Sequence, residues 1–296
     1  MLKAIIDLGT NTFNLIIAEI DGNEFHLIHS EKDGVALGMG GIHRNLITED
    51  AINRALKTLR KFKETIDFYN VKHVKAFGTS AIRDALNAKE FVGYIQRELD
   101  IPIEIINGNK EAELIFSGVA RTHDLIIPGI IMDIGGGSTE FIAYKDNHAI
   151  EMVSLNIGVS RIYQQFKLSN PLKQHEIDLI ESFLDLESCG FFEKRQETIL
   201  IGASGSFETF YEFIERKPFP ECQHALPLKM EELTNILNEM IFSSEEEREM
   251  NPWIIPIRKK MAPIAAVKTK WVLSKLPAKQ VYVSPFSLKE GALFEL

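Results

Sequence analysis

Asp7-Leu8-Gly9-Thr10-Asn11-Thr12 and Asp133-Ile134-Gly135-Gly136-Gly137-Ser138 decide how this sequence folds. In each, an acid closes a short apolar run, a turn bearing glycine and hydroxyl residues follows, and a second apolar run begins. Aligned without gaps, the two stretches lie 126 positions apart (133 minus 7). Around the first, Leu2–Ile6, Phe13–Ile20 and Phe25–Ser30 read as three strands, the last two joined at Asp21-Gly22. Around the second, Ile130–Asp133, Glu140–Tyr144 and Ala149–Leu155 repeat that meander, with a turn at Asp146-Asn147. A repeat this widely spaced denotes paired domains, because solenoid periods are several-fold shorter.

Alternating helices and strands fill the space between and after the meanders. Residues 51–68 carry Ile52, Ala55, Leu56, Leu59, Phe62 and Ile66 at helical spacing, with Thr48 as N-cap and acids in the first turn. Val71–Phe77 and Ile103–Ile106 read as strands, Asn87–Leu99 as a helix opened by the capping pair Asn87 and Glu90, and Asn109–Val119 as a helix. In the second half, helices are expected over 159–167, 173–187, 207–214, 229–242, 262–275 and 287–295, the last capped by Ser287 and Glu290. Thr198–Ile201 and Val281–Ser284 are expected strands, and the proline- and charge-rich residues 215–228 a mobile loop. The fold class is therefore α/β with two duplicated domains, 1–125 and 126–296. Their turns 9–12 and 135–139 are expected to face one interdomain cleft.

Composition narrows the function. With 296 residues, 45% hydrophobic and 25% charged, the chain supports two cores and is not disordered. A net charge of -9 disfavours a general nucleic-acid binder, although backbone amides and a cation can hold phosphate inside a cleft under any outer charge. Cys189 and Cys222 form no CxxC or Cys/His spacing, and no secretory or membrane-spanning segment is read. A cytoplasmic protein with no membrane and no nucleic-acid partner is the expectation.

A glycine-rich turn between strands lets backbone N–H groups approach a phosphate closely, since no Cβ intervenes. Gly9, Thr10, Asn11 and Thr12 form one such turn, and Gly135, Gly136, Gly137, Ser138 and Thr139 the other. A third element, Thr198 to Ser206, runs from a strand through Gly202, Ser204, Gly205 and Ser206 into a helix whose N-terminal amides can meet an anion. The sequence carries neither GxxxxGK[ST] nor a GxGxxG opening a helix, which removes P-loop and dinucleotide-binding readings.

Together with these turns, Thr79-Ser80-Ala81-Ile82-Arg83-Asp84-Ala85, Asn107-Gly108-Asn109-Lys110-Glu111-Ala112, and Asp133 to Glu140 resemble the ordered motifs of the exopolyphosphatase / guanosine pentaphosphate phosphohydrolase family. That family has ribonuclease-H-like domains of the actin-like ATPase superfamily, and chain length is similar to its short form without C-terminal helical domains. The resemblance implies that Glu111 is the general base for the attacking water and that Arg83 grips phosphate. It implies a Mg²⁺ ion held by Asp133 and Glu140, with Asp7 as the first-repeat counterpart. The implied substrates are inorganic polyphosphate or guanosine pentaphosphate, and a homodimer is part of the expectation.

Several positions depart from the family pattern. Thr10 and Thr12 stand where Ser is common, Glu113 where Arg is frequent, and Val283 to Gly291 differs in the stretch that contacts substrate in the second domain. Two other classes therefore stand beside the hydrolase: an ATP-dependent kinase of the superfamily, and a weakly catalytic sensor of phosphorylated nucleotides. The clusters Arg54, Lys57, Lys61 and Arg258, Lys259, Lys260 read as solvated faces, with guidance of a long polyphosphate toward the cleft as the alternative.

Overall fold

The computed structural model describes every residue except Asn23, and the backbone alone of Glu24. In chain order the strands and helices are β1 (Leu2–Leu8), β2 (Phe13–Asp21), β3 (Glu24–Asp33), α1 (Glu49–Phe68), β4 (His73–Gly78), α2 (Ser80–Arg83), α3 (Ala88–Leu99), β5 (Ile103–Ile105) and α4 (Gly108–Val119). These are followed by β6 (Gly129–Ile134), β7 (Thr139–Lys145), β8 (His148–Leu155), α5 (Val159–Gln165), α6 (Gln174–Glu187), β9 (Ile199–Ala203) and α7 (Gly205–Glu215). The chain ends through β10 (Leu226–Leu228), α8 (Met230–Phe242), α9 (Glu245–Met250), α10 (Ala262–Lys275), β11 (Gln280–Val283) and α11 (Leu288–Phe294).

Two sheets result, ordered β3-β2-β1-β4-β5 and β8-β7-β6-β9-β11-β10. The duplication extends to register. Asp7 sits opposite Asn14 on the antiparallel neighbour and opposite Phe77 on the parallel one. Asp133 sits opposite Glu140 and Ala203 in the corresponding places. Both central strands are apolar on both faces, as strands covered on both sides must be. In β1, Ala4, Ile6 and Leu8 face the cluster under α1 and α3, while Ile5 faces the junction between the sheets. In β6, Ile130, Met132 and Ile134 play the first part and Ile131 the second.

The helix α1 shows the local logic. Thr48 accepts from Ala51 N, Glu49 and Asp50 face the positive end of the helix dipole, and Ala55, Leu59, Phe62 and Ile66 form the buried stripe. Burying each of Leu59, Phe62 and Ile66 contributes about 1.5–3 kcal/mol.

The junction is made by exchange. α4 follows the first sheet but packs on β7 and β8 of the second, whereas α11 follows the second sheet and packs on β1 and β2 of the first. The two helices cross at Gly118 and Gly291. A Cβ on Gly291 would lie 1.9 Å from Leu114 O, and one on Gly118 2.3 Å from Ser287 O. A core with residues from both sheets and both helices surrounds this crossing, so packing does not divide where the chain passes from one sheet to the other.

Three local expectations are corrected. Asn87 does not cap α3; its side chain bonds both the N–H and the carbonyl of Ile47, and its backbone is not extended as an N-cap requires. Residues 226–228 form a sixth strand of the second sheet, antiparallel to β11, and Ala225 N bonds Thr122 O, so the 215–228 segment is pinned at its end. Arg258 is not on a solvated face but lines the cleft described below. Among the described residues, no helix is long and apolar enough to cross a membrane.

Candidate active site

The repeated turns meet. A Cβ on Gly136 would lie 2.9 Å from Asn11 Cγ and Thr10 Cβ, and one on Gly137 2.7 Å from Thr10 Oγ1. Both turns line one cleft of about 160 Å³ between the sheets. Their carbonyls are held from behind by different segments. Thr10 O and Asn11 O accept from Gly38 N and Ala36 N. Gly135 O, Gly136 O and Gly137 O accept from Val159, Ser160 and Gly158 N–H groups, and Gly137 O also from Arg161 Nε. With these carbonyls engaged and the Gly9 amide closing its own turn on Thr12 O, the remaining amides are the polar face each turn can offer an anion.

The acids stand at the ends of the central strands and in the first turn of α4. Asp7, Glu111, Asp133 and Glu140 all line the cleft. Asp133 accepts from the Ser204 and Ser287 hydroxyls, each at 2.5 Å, and Glu140 from the Ser154 hydroxyl at 2.6 Å. Asp7 accepts from Asn14 Nδ2 at 3.0 Å. Burial lifts the Asp7 carboxyl to about 6, against the pull of Lys289 and Asn14. Burial and then the neighbouring Asp133 lift Glu140 to about 7. Asp133 is raised by burial, which its two serine donors oppose. Glu111 is held well above the usual carboxylate range, by burial first and Glu140 second, against the attraction of Arg83.

Facing these acids is a basic wall that sequence reasoning did not assemble: Lys32 from β3, Arg258, and Lys289 from α11, with Glu208 of α7 between them. Burial and Arg258 lower Lys32 to about 8, opposed by Glu208. Burial acts to raise Glu208, yet Lys32, Arg258 and Lys289 outweigh it and keep the carboxyl below its usual range. The three cations come from distant parts of the chain, so only folding brings them together.

Most of the sequence-derived site residues gather here: Asp7, Gly9 to Thr12, Glu111, Asp133, Gly135 to Ser138, Glu140, Ser204, Gly205 and Ser206. Three lie elsewhere. Thr139 is fully buried behind the turn, with its hydroxyl on Lys268. Gly202 packs under Phe207, where a Cβ would fall 1.9 Å from Cγ, so its smallness serves the contact of β9 with α7. Arg83 does not line the cleft; its Nη1 donates to Glu111 Oε2 at 2.6 Å and to Ile106 O at 3.3 Å. Ser204, in turn, sits at φ 62°, ψ -173°, a conformation that costs an L-residue about 1–3 kcal/mol and concentrates at functional sites.

Among the described residues, no three His, Cys, Asp or Glu side chains converge on one point. The donor set nevertheless fits a hard cation that keeps most of its water. Mg²⁺ needs only one or two protein carboxylates, and the mutual repulsion of these buried acids is what a cation relieves.

The overall architecture overlays a crystal structure of an exopolyphosphatase from Cytophaga hutchinsonii with a TM-score of 0.95, at 34% identity over 99% of this chain and 97% of that one. Over 99% of its length the sequence is 29% identical to part of the bifunctional 3-dehydroquinate synthase/phosphatase of Fusobacterium nucleatum, and covers 46% of it. It is 25% identical, again over 99% of its length, to 58% of the guanosine-5'-triphosphate,3'-diphosphate pyrophosphatase of Pseudoalteromonas atlantica. The chain thus spans about half the length of these curated relatives. Residues 16–296 match the Ppx/GppA phosphatase family, and with the two-sheet, actin-like architecture and the cleft between its repeats, the chain belongs to that family.

Proposed function

We propose that the protein is an exopolyphosphatase, hydrolysing the terminal phosphoanhydride of inorganic polyphosphate and releasing orthophosphate. The observation that carries the reading is the position of Glu111: an enclosed carboxyl on the wall of a cleft whose other walls are glycine-rich turns from both repeats. The turn amides and the hydroxyls of Thr10, Thr12 and Ser138 receive the terminal phosphate. Glu111 orients a water toward phosphorus and takes its proton, and its raised affinity for protons suits that task. Arg83 fixes the Glu111 carboxylate, a role distinct from direct phosphate contact. Lys32, Arg258 and Lys289 attract the following phosphates of the chain.

Asp133 and Glu140, with Asp7 beside them, would hold Mg²⁺ in this reading. When bound, the ion would neutralise charge on the phosphate oxygens. In the protein alone, the serine donors on Asp133 and Glu140 fix the directions of those carboxylates.

Guanosine pentaphosphate is a second reading, supported by the guanosine-5'-triphosphate,3'-diphosphate pyrophosphatase of Pseudoalteromonas atlantica among the relatives. The apolar recess beside the cleft, lined by Phe210, Met240, Met261 and Ala262, holds only about 30 Å³ and does not admit a nucleoside ring. The deciding experiment is phosphate release with magnesium over short polyphosphate, long polyphosphate and guanosine pentaphosphate, with no acceptor present. Faster turnover of polyphosphate, abolished by chelator, is expected. Release only from guanosine pentaphosphate would shift the substrate, and phosphoryl transfer to an added hydroxyl acceptor without release of orthophosphate would make the protein a kinase.

A further inference from the structure

Lys268 is a buried lysine that the chemistry above leaves without a part. It lies in the middle of α10 and is fully enclosed, as are Val267 and Thr269 beside it. Its Nζ donates to the Thr139 hydroxyl and to the Ile157 carbonyl. Both acceptors are neutral, and among the described residues no carboxylate stands within ion-pair distance of the amine. An ammonium withdrawn from water without a counter-ion is costly, and an apolar side chain of similar volume would usually serve stability better.

The two acceptors show what the lysine does instead. Thr139 is the first residue after the second phosphate turn and immediately precedes Glu140. Ile157 immediately precedes Gly158, Val159 and Ser160, whose amides hold the carbonyls of Gly135, Gly136 and Gly137. A single side chain thus ties the exit of the turn to the start of the segment that anchors it. No other side chain among the described residues hydrogen-bonds Thr139 Oγ1 or Ile157 O.

We propose that Lys268 is a positioning residue for phosphoanhydride hydrolysis: by clamping Thr139 to Ile157 it fixes the 135–138 turn and the adjoining Glu140 in the geometry that receives substrate. The proposal rests on the hydrolase reading above. Burial brings the amine down to about 7, while Glu140 and Asp133 act to keep it charged, so it is coupled to the site electrostatically as well as through its hydrogen bonds.

The test compares wild type, Lys268→Met, Thr139→Val and the double variant by thermal unfolding, by amide hydrogen exchange, and by magnesium-supported phosphate release from polyphosphate. Lys268→Met, which removes the buried amine but leaves two acceptors unpaired, should melt within several degrees of wild type yet lose about ten-fold or more in kcat. Exchange should quicken in peptides spanning 130–145 and stay unchanged in α1. Thr139→Val should lose several-fold, and the double variant should be no worse than Lys268→Met, because both changes break one clamp. A folded Lys268→Met with wild-type kcat and unaltered exchange would overturn the proposal, as would losses that multiply in the double variant. Should Lys268→Met fail to fold, a wild-type rate in Thr139→Val would overturn it alone. Wild-type protein that releases no phosphate sinks the hydrolase reading and this one with it, whereas an active wild type beside an unaffected variant sinks only the clamp.

Discussion

Arg83 and Glu111 form an ion pair of 2.6 Å in which both side chains are largely enclosed. Arg83 ends the short helix α2 behind β4, Glu111 stands in the first turn of α4, and Asp84 lies between Arg83 and Arg161 of the second half, at 3.7 and 2.7 Å. If Glu111 is the base proposed above, the guanidinium acts on the reaction only through the carboxylate it holds.

That arrangement predicts a specific non-additivity. Arg83→Lys should lower kcat by about ten-fold or more, because Lys keeps the charge but has no second nitrogen to face Asp84, as Nε does while Nη1 holds Glu111 and Ile106 O. In a Glu111→Gln background the same change should cost almost nothing further. Steady-state kinetics on the four proteins check this, and a full additional loss in the double variant would show that Arg83 acts on phosphate directly.

Stability should carry the signature of the buried acids. Burial and the neighbouring Asp133 raise the Glu140 carboxyl to about 7 in the folded protein, against about 4.5 in the unfolded chain. Between those limits the native state holds more protons than the unfolded state, so the contribution of Glu140 to stability falls as pH rises. In metal-free buffer, Glu140→Gln should gain about 3 kcal/mol on wild type between pH 4.5 and 7, and no more above that range. Denaturant unfolding at several pH values measures the difference. A gap that does not change with pH would contradict the burial cost assigned to this carboxyl.

The helix crossing makes opposite predictions for one type of substitution. Gly291→Ala places a Cβ against backbone atoms of α4, which cannot rotate aside, and should cost about 3 kcal/mol or more, a loss of several degrees in Tm. Gly93→Ala in α3 meets only the far end of the Arg97 side chain, at 3.5 Å, and should stabilise by roughly 0.5–1 kcal/mol. Thermal unfolding of the two variants decides it, and equal melting temperatures would contradict the close approach of α4 and α11.

Much of this architecture was legible because its signals are local. The acid, glycine turn and strand of each repeat occupy adjacent positions, and the offset between Asp7 and Asp133 exposes the duplication before any packing is known. What was not legible depends on distant partners. Asn87 looks like a cap until Ile47 is seen beside it, and Leu226–Leu228 become a strand only by pairing with β11. Arg258 sits in a basic triplet that reads as surface, and only its partners on α7, the Glu208 carboxylate and the Thr209 hydroxyl, hold it toward the cleft. For Lys268 a signal did exist: it falls four residues after Ile264 and three before Trp271, inside an apolar stripe where a charge has no ordinary reason to be.

The claim on which the rest depends is that Glu111 activates water for attack on a phosphoanhydride. Kinetics of phosphate release from polyphosphate by Glu111→Gln and Glu113→Gln test it most directly. Glu111 faces the cleft, whereas Glu113, two positions on and half exposed, pairs with Lys110 at 3.6 Å. Glu111→Gln should lose roughly two to four orders of magnitude in kcat, the scale of general-base removal, while polyphosphate binding persists or tightens. Glu113→Gln should leave kcat near wild type. Wild-type turnover in Glu111→Gln, or loss of activity in Glu113→Gln alone, would contradict the account.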